Sequence, residues 1–195
     1  SLRLSAAQRM AQAVESARWA LMHAPTGLEG LPWSVELPFG AVLITGHGDD
    51  VHSAKAALHV DLGGDDVYDG AAASTMDDRR LSWVIDVRGD DLYGDDDSLW
   101  ASAAGVFGVA GLVDFEGRDT YRAAHFGQGF GLHGVGILYD GDGDDEYAGQ
   151  THLQGVGIMG IGLLIDVSGR DSRAVAFGGQ GMGARTGLGA ILDGG

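Results

Sequence analysis

One eight-residue frame, D-x-x-G-x-D-x-Y, constrains this chain more than any other feature. It stands at 61–68, 86–93, 114–121 and 140–147, and again at 166–173 with Arg173 in the last place. A sixth copy opens at Asp193, and the leading Asp residues are spaced 25, 28, 26, 26 and 27 apart. A fixed frame at a constant period of this size is the mark of a repeat array. A shortened first copy lies at 45–52, with Thr45 for the leading Asp and His52 for the Tyr, only 16 residues before Asp61.

Between the frames the chain alternates. Apolar approaches such as Trp83-Val84-Ile85 and Leu163-Leu164-Ile165 enter each acidic turn, and later copies return through Gln-Gly at 128, 154 and 180. The period of two predicts strands, with Val156, Ile158, Ile161, Leu163 and Ile165 on the buried faces and Gly160, Gly162, Leu164 and Asp166 opposite. About three short strands per ~26 residues make one coil of an all-β parallel β-solenoid, with coils ~4.8 Å apart. One antiparallel hairpin per repeat is the alternative, but hairpins need no such uniform spacing.

Residues 40–195 therefore read as the solenoid and 1–39 as its cap and connector. The cap is an α-helix from Ser5 to about His23. Ser5 and Gln8 form a capping box, Met10, Val14, Ala17 and Leu21 recur at helical spacing, and Pro25 and Gly27 end it. Such a helix covers the open edge of a stack. The chain begins without Met and ends inside a motif, which reads as a fragment or processed form.

Residues 1–40 hold three Arg and three Glu, so the net charge of −16 lies wholly in the repeats. That surface repels phosphate backbones and anionic lipid, which argues against nucleic-acid and membrane-surface partners, and it attracts cations. The longest apolar run is too short to span a bilayer. With no cysteine there is no disulfide or thiol chemistry. An acidic, cysteine-free repeat chain fits a secreted, periplasmic or cell-surface protein.

Within the turn, the leading Asp accepts a backbone N–H two residues on, Gly takes the positive φ that follows, and the tyrosines stack from coil to coil. The second Asp, at 66, 91, 119, 145 and 171, is less easily explained, because carboxylates stacked at strand spacing repel. The frame resembles the glycine-rich nonapeptide of the RTX (repeats-in-toxin) family. It differs in placing one frame per ~26 residues and Asp in the first position. The resemblance implies Ca²⁺ bound between stacked turns, with Asp66, Asp91 and Asp145 as carboxylate ligands. The wider candidate set is Asp61, Asp65, Asp66, Asp86, Asp90, Asp91, Asp140, Asp142, Asp144 and Asp145. A competing expectation is that Arg118 and Arg170, stacked beside Asp90 and Asp144, neutralise part of the acid ladder with their guanidinium groups.

Three functional readings follow. A non-enzymatic structural or binding module with Ca²⁺ in its turns ranks first. The second is a carbohydrate-active β-helix enzyme acting on a polysaccharide through Asp pairs on neighbouring coils, although a catalytic site breaks its repeat and these turns are nearly uniform. The third is an assembly subunit that meets a protein partner, or a copy of itself, through a glycine-rich face. His47 and His52 flank Asp49 and Asp50, with His59 two before Asp61; a transition-metal site there competes with a purely structural end coil.

Overall fold

The computed structural model describes residues 16, 19–23, 31–53, 55–70, 72–76 and 79–195. The capping box and most of the N-terminal helix lie outside the described residues. Residues 16 and 19–22 are helical, and Leu21 and Met22 pack on Val60, Leu62 and Val87 of the first coils.

The chain opens with β1 (Trp33–Leu37) and β2 (Gly40–Ile44), followed by β3 (Val51–His52), β4 (Leu58–Val60) and β5 (Val67–Tyr68). Three-strand coils then begin: β6 (Leu81–Asp86), β7 (Leu92–Tyr93) and β8 (Ala104–Val106); β9 (Val109–Asp114), β10 (Thr120–Gly127) and β11 (Phe130–Leu132). The last are β12 (Val135–Asp140), β13 (Glu146–Leu153) and β14 (Gly157–Ile158); β15 (Ile161–Asp166), β16 (Ser172–Phe177) and β17 (Gly183–Ala184); then β18 (Leu188–Asp193). Three sheets result, ordered β1-β2-β4-β6-β9-β12-β15-β18, β16-β13-β10-β7-β5-β3 and β17-β14-β11-β8. Every pairing between coils is parallel, so the array is a parallel β-solenoid rather than a row of hairpins. Register places like on like: Asp140 pairs with Asp166, and Tyr121 with both Tyr93 and Tyr147. The stretch read as a connector contains β1, which runs antiparallel to β2 and covers that edge of the first sheet.

The period of two is as expected, but the phase in the first sheet is reversed. Gly162, Leu164 and Asp166 point inward, whereas Ile161 is exposed and Leu163 and Ile165 are half-buried on the outer face. The cause is the narrowness of the coil. A Cβ on Gly136 would lie 2.0 Å from the Phe130 carbonyl oxygen, and one on Gly162 would lie 2.1 Å from that of Val156. Only hydrogen fits where the first and third sheets meet, so the glycine column must face inward. In these inner coils the glycine face is covered by the chain's own opposite sheet, whereas Gly183 on the last coil is exposed.

The core is a double column. Val84, Leu112, Leu138 and Leu164 from the first sheet pack against Tyr68, Tyr93, Tyr121 and Tyr147 from the second. The tyrosine rings stack at 4.7, 4.9 and 4.7 Å, the coil spacing itself. The Gln-Gly motif fills a corner. Gln128 donates through Nε2 to the carbonyls of Tyr121 and Ala148, and Gln154 repeats this one coil on with Tyr147 and Ala174.

Candidate metal centre

Each acidic turn places two carboxyls inside the coil. The leading Asp ends a first-sheet strand with its side chain inward. In Asp61 and Asp86 the Oδ1 caps its own turn, accepting from the Gly63 N–H at 2.8 Å and from the Arg88 N–H at 3.1 Å. The frame glycine takes a positive φ at Gly64, Gly89 and Gly169, 147° at Gly89, which presses so near the Gly64 carbonyl of the coil before it that no side chain fits. Oδ2 of the leading Asp accepts the tyrosine hydroxyl of the preceding coil. The pairs are Tyr68 to Asp86 at 2.5 Å, Tyr93 to Asp114 and Tyr121 to Asp140 at 2.6 Å, and Tyr147 to Asp166 at 3.0 Å.

The second Asp is a latch between coils. Its Oδ1 accepts the backbone N–H of the equivalent Asp one coil earlier: Asp66 to Asp91 at 2.6 Å, Asp91 to Asp119 at 2.8 Å, Asp119 to Asp145 at 2.7 Å and Asp145 to Asp171 at 3.1 Å. Backbone amides thus absorb half of each carboxylate, which is why the column tolerates strand spacing. The other half is poorly provided for. Oδ2 of Asp66, Asp119 and Asp145 and Oδ1 of Asp114, Asp140 and Asp166 are buried without a hydrogen-bond partner. These leading and second carboxyls, through Asp166, are at most 2% exposed.

Confinement raises their proton affinity. Burial, with repulsion from Asp114 and Asp91, pushes Asp86 up to about 10. Burial lifts Asp119 to about 9, Asp91 and Asp145 to about 7, and Asp140 and Asp166 to about 6, and it holds Asp114 well above the carboxylate range.

The two ends of the column are compensated differently from its centre. At the first coil His52 replaces the tyrosine, with Nε2 2.9 Å from Asp61 Oδ2 and 3.8 Å from Asp66 Oδ2. The first contact is off the line that an N–H···O bond needs, so it is a charge contact rather than an aligned hydrogen bond. Burial alone would lower His52, but Asp61 and Asp66 outweigh it and raise the ring to about 9. For Asp61 burial acts upward, and His52, Thr45 and the Gly63 N–H overcome it to hold the carboxyl below its usual range. At the last coil Arg173 replaces the tyrosine and reaches Asp166 at 2.5 Å, Asp171 at 3.4 Å and Asp193 at 2.5 Å. Among the described residues, no basic side chain pairs with Asp86, Asp91, Asp114, Asp119, Asp140 or Asp145. Instead their oxygens converge. Asp86, Asp91 and Asp114 bring one oxygen each within 4.8 Å of one another, as do Asp119, Asp140 and Asp145, and Asp61, Asp66 and Asp86.

Of the residues expected from the sequence, Asp61, Asp66, Asp86, Asp91, Asp140 and Asp145 meet in this column. Asp65, Asp90, Asp142 and Asp144 do not; they are exposed on the outside of the turns. Asp65 and Asp90 latch the next coil by accepting the N–H of Asp90 and Arg118, and Asp144 accepts that of Arg170. Asp142 accepts from the Ser168 hydroxyl. Arg118 and Arg170 therefore answer the acid ladder with backbone amides. Among the described residues their guanidinium groups form no ion pair with it, which corrects the expectation of neutralisation by those side chains. Asp114 and Asp119, absent from the expected set, sit in the middle of the column. The frame at 114–121 carried the signal, masked by Phe115, Glu116 and Arg118 in its variable places.

Comparison with protein-family profiles, with curated proteins and with solved structures returns no match.

Proposed function

We propose that this chain is a non-enzymatic structural and binding repeat module, exported from the cell, whose three central carboxyl pairs bind a hard divalent cation, Ca²⁺. The observation that carries the reading is the set of buried, partnerless carboxylate oxygens between Asp86 and Asp145, converging in threes where no basic side chain compensates them. A donor set made only of oxygen suits Ca²⁺ and suits softer ions poorly. Such sites in extracellular modules work at the high Ca²⁺ outside cells, which favours export. The resemblance to the RTX nonapeptide points to the same ion. The cation here lies among side chains inside the coil, held by the leading and second Asp together.

A second reading has one specific observation in its favour. The tyrosine hydroxyls already donate into the column, and confinement raises Asp86 and Asp119 far enough to hold protons at neutral pH. In that case protons, shared between the carboxyls of a coil, replace the ion. The carbohydrate-active alternative draws no support from these residues, because carboxyls so deeply buried are out of reach of a polysaccharide chain.

The test is thermal unfolding at mildly alkaline pH, after exhaustive chelation and again with excess Ca²⁺. The cation reading expects a clear upward shift with Ca²⁺, lost in the Asp119→Asn and Asp91→Asn variants. An unchanged melting temperature sinks it and leaves the shared-proton column.

A further inference from the structure

The first coil departs from the repeat at three places, and the three departures meet. Thr45 stands in the leading-Asp column and His52 in the tyrosine column, where it pairs with Tyr68. His59 stands in the inward column that Leu43, Val84, Leu112, Leu138 and Leu164 otherwise keep apolar. A uniform array gains nothing in packing from a buried histidine in a leucine column, since burying a polar ring is unfavourable unless it is satisfied. His52 and His59 are 9% and 2% exposed, and their rings meet edge to face with centroids 4.6 Å apart.

Three donor atoms lie at spacings that suit a small metal site. Zn–N and Zn–O bonds of ~2.0–2.1 Å set neighbouring ligand atoms about 3.3 Å apart. His52 Nε2 is 2.9 Å and His59 Nε2 4.0 Å from Asp61 Oδ2, on either side of that value, and all three lie within 4.8 Å of one another. Asp66 Oδ2 is 3.8 Å from His52 Nε2 and supplies a fourth donor. Both His52 Nε2 and Asp66 Oδ2 are buried, aimed into this space and without a hydrogen-bond partner. Thr45 Oγ1 donates to Asp61 Oδ2 and so orients that carboxylate, while its 2.7 Å contact with His59 Nε2 is one that an ion takes over on binding. A cavity of about 30 Å³, lined by His52, His59 and Tyr68, adjoins the cluster.

We propose that the first coil holds a transition metal of the Zn²⁺ class, ligated by His52 Nε2, His59 Nε2, Asp61 and Asp66. Imidazole nitrogen with carboxylate selects such an ion over Ca²⁺. The site is separate in residues and in chemistry from the carboxyl pairs of the central coils. The ion binds where the repeat is interrupted and fastens the terminal coil, since binding to the folded state alone stabilises it.

The experiment uses the whole chain, stripped of metal and titrated with Co²⁺ as a spectroscopic probe for Zn²⁺. The expected result is the visible d–d absorption of a tetrahedral site, saturating at one equivalent and not displaced by Ca²⁺. With Zn²⁺, ¹⁵N-histidine spectra should show His52 and His59 shifting together, while His47, His125, His133 and His152 stay in place. This readout needs no variant. His52→Tyr and His59→Val restore the residues that regular coils carry and should fold, yet each should weaken Co²⁺ binding by about a hundredfold or more while leaving the central Ca²⁺ response unchanged. Absence of the bands, shifts confined to other histidines, or bands that survive in both variants would overturn the site.

Discussion

The column of buried acids has two kinds of region, its ends and its centre, and they solve the same electrostatic problem by different means. At the ends the repeat gives up its tyrosine for a group that carries positive charge, His52 beside Asp61 and Arg173 beside Asp166. In the centre Tyr93 and Tyr121 each bring one neutral hydroxyl to the next leading Asp, and nothing charged accompanies them. A neutral donor satisfies an oxygen without cancelling its charge. The last coil is therefore self-sufficient and the first is balanced by the His52 proton or by the ion that displaces it, whereas the centre depends wholly on something from solution, a cation or protons.

The sharpest way to break this contrast is to remove an end charge. Arg173→Leu leaves Asp166 and Asp171 facing each other with no charged partner and should cost about 3 kcal/mol, as breaking a buried ion pair does. Urea unfolding would measure it, and a loss below about 1 kcal/mol would mean that the end does not rely on its guanidinium. In the centre, Tyr121→Phe removes the hydroxyl from Asp140 and should cost about 1–3 kcal/mol, the penalty of an unsatisfied buried acceptor. That loss should shrink in acid, where Asp140 gains a proton.

The smallest effect separates the regions most cleanly. In chelated protein at alkaline pH, Asp119→Asn keeps the Oδ1 that latches Asp91 and removes one repelling charge. Its stability should stay within about 1 kcal/mol of the parent chain or rise above it. Asp61→Asn, at the compensated end, strands His52 and should destabilise. If both changes act alike, the division into ends and centre fails.

The coil period, the strand content, the tyrosine stack and the Asp-capped turn were legible in the frame itself, because each follows from local chemistry repeated at a fixed interval. The inward phase of β15 was not. Both of its faces carry apolar residues, so hydrophobicity could not choose between them, and the choice falls to the glycine column, whose inward side only a narrow coil explains. The role of the second Asp was hidden for a related reason. Its partner is a backbone N–H one coil away, and main-chain donors leave no trace in a sequence. The same blindness made Arg118 and Arg170 look like counter-ions when their amides do the work. His59 stood out in the sequence only as a neighbour of Asp61, and it is the register that sets it in a column of leucines and valine.

The central claim is that the middle coils must take up positive charge from solution, and the pH dependence of stability with and without Ca²⁺ tests it most directly. Asp86, Asp91, Asp119, Asp140 and Asp145 all hold protons more tightly folded than unfolded, with folded values from about 6 to about 10. The folded state then binds more protons than the unfolded chain, so stability is greatest in acid and is lost as pH rises through that range. His52, raised to about 9, acts in the same direction, whereas His59, lowered to about 4, opposes it below about pH 6.5. Chelated protein should therefore lose melting temperature steadily from pH 6.5 to 10, and excess Ca²⁺ should flatten that decline by replacing the departing protons. A chelated chain whose melting temperature is level or rising over this range, with no response to Ca²⁺, would contradict the account.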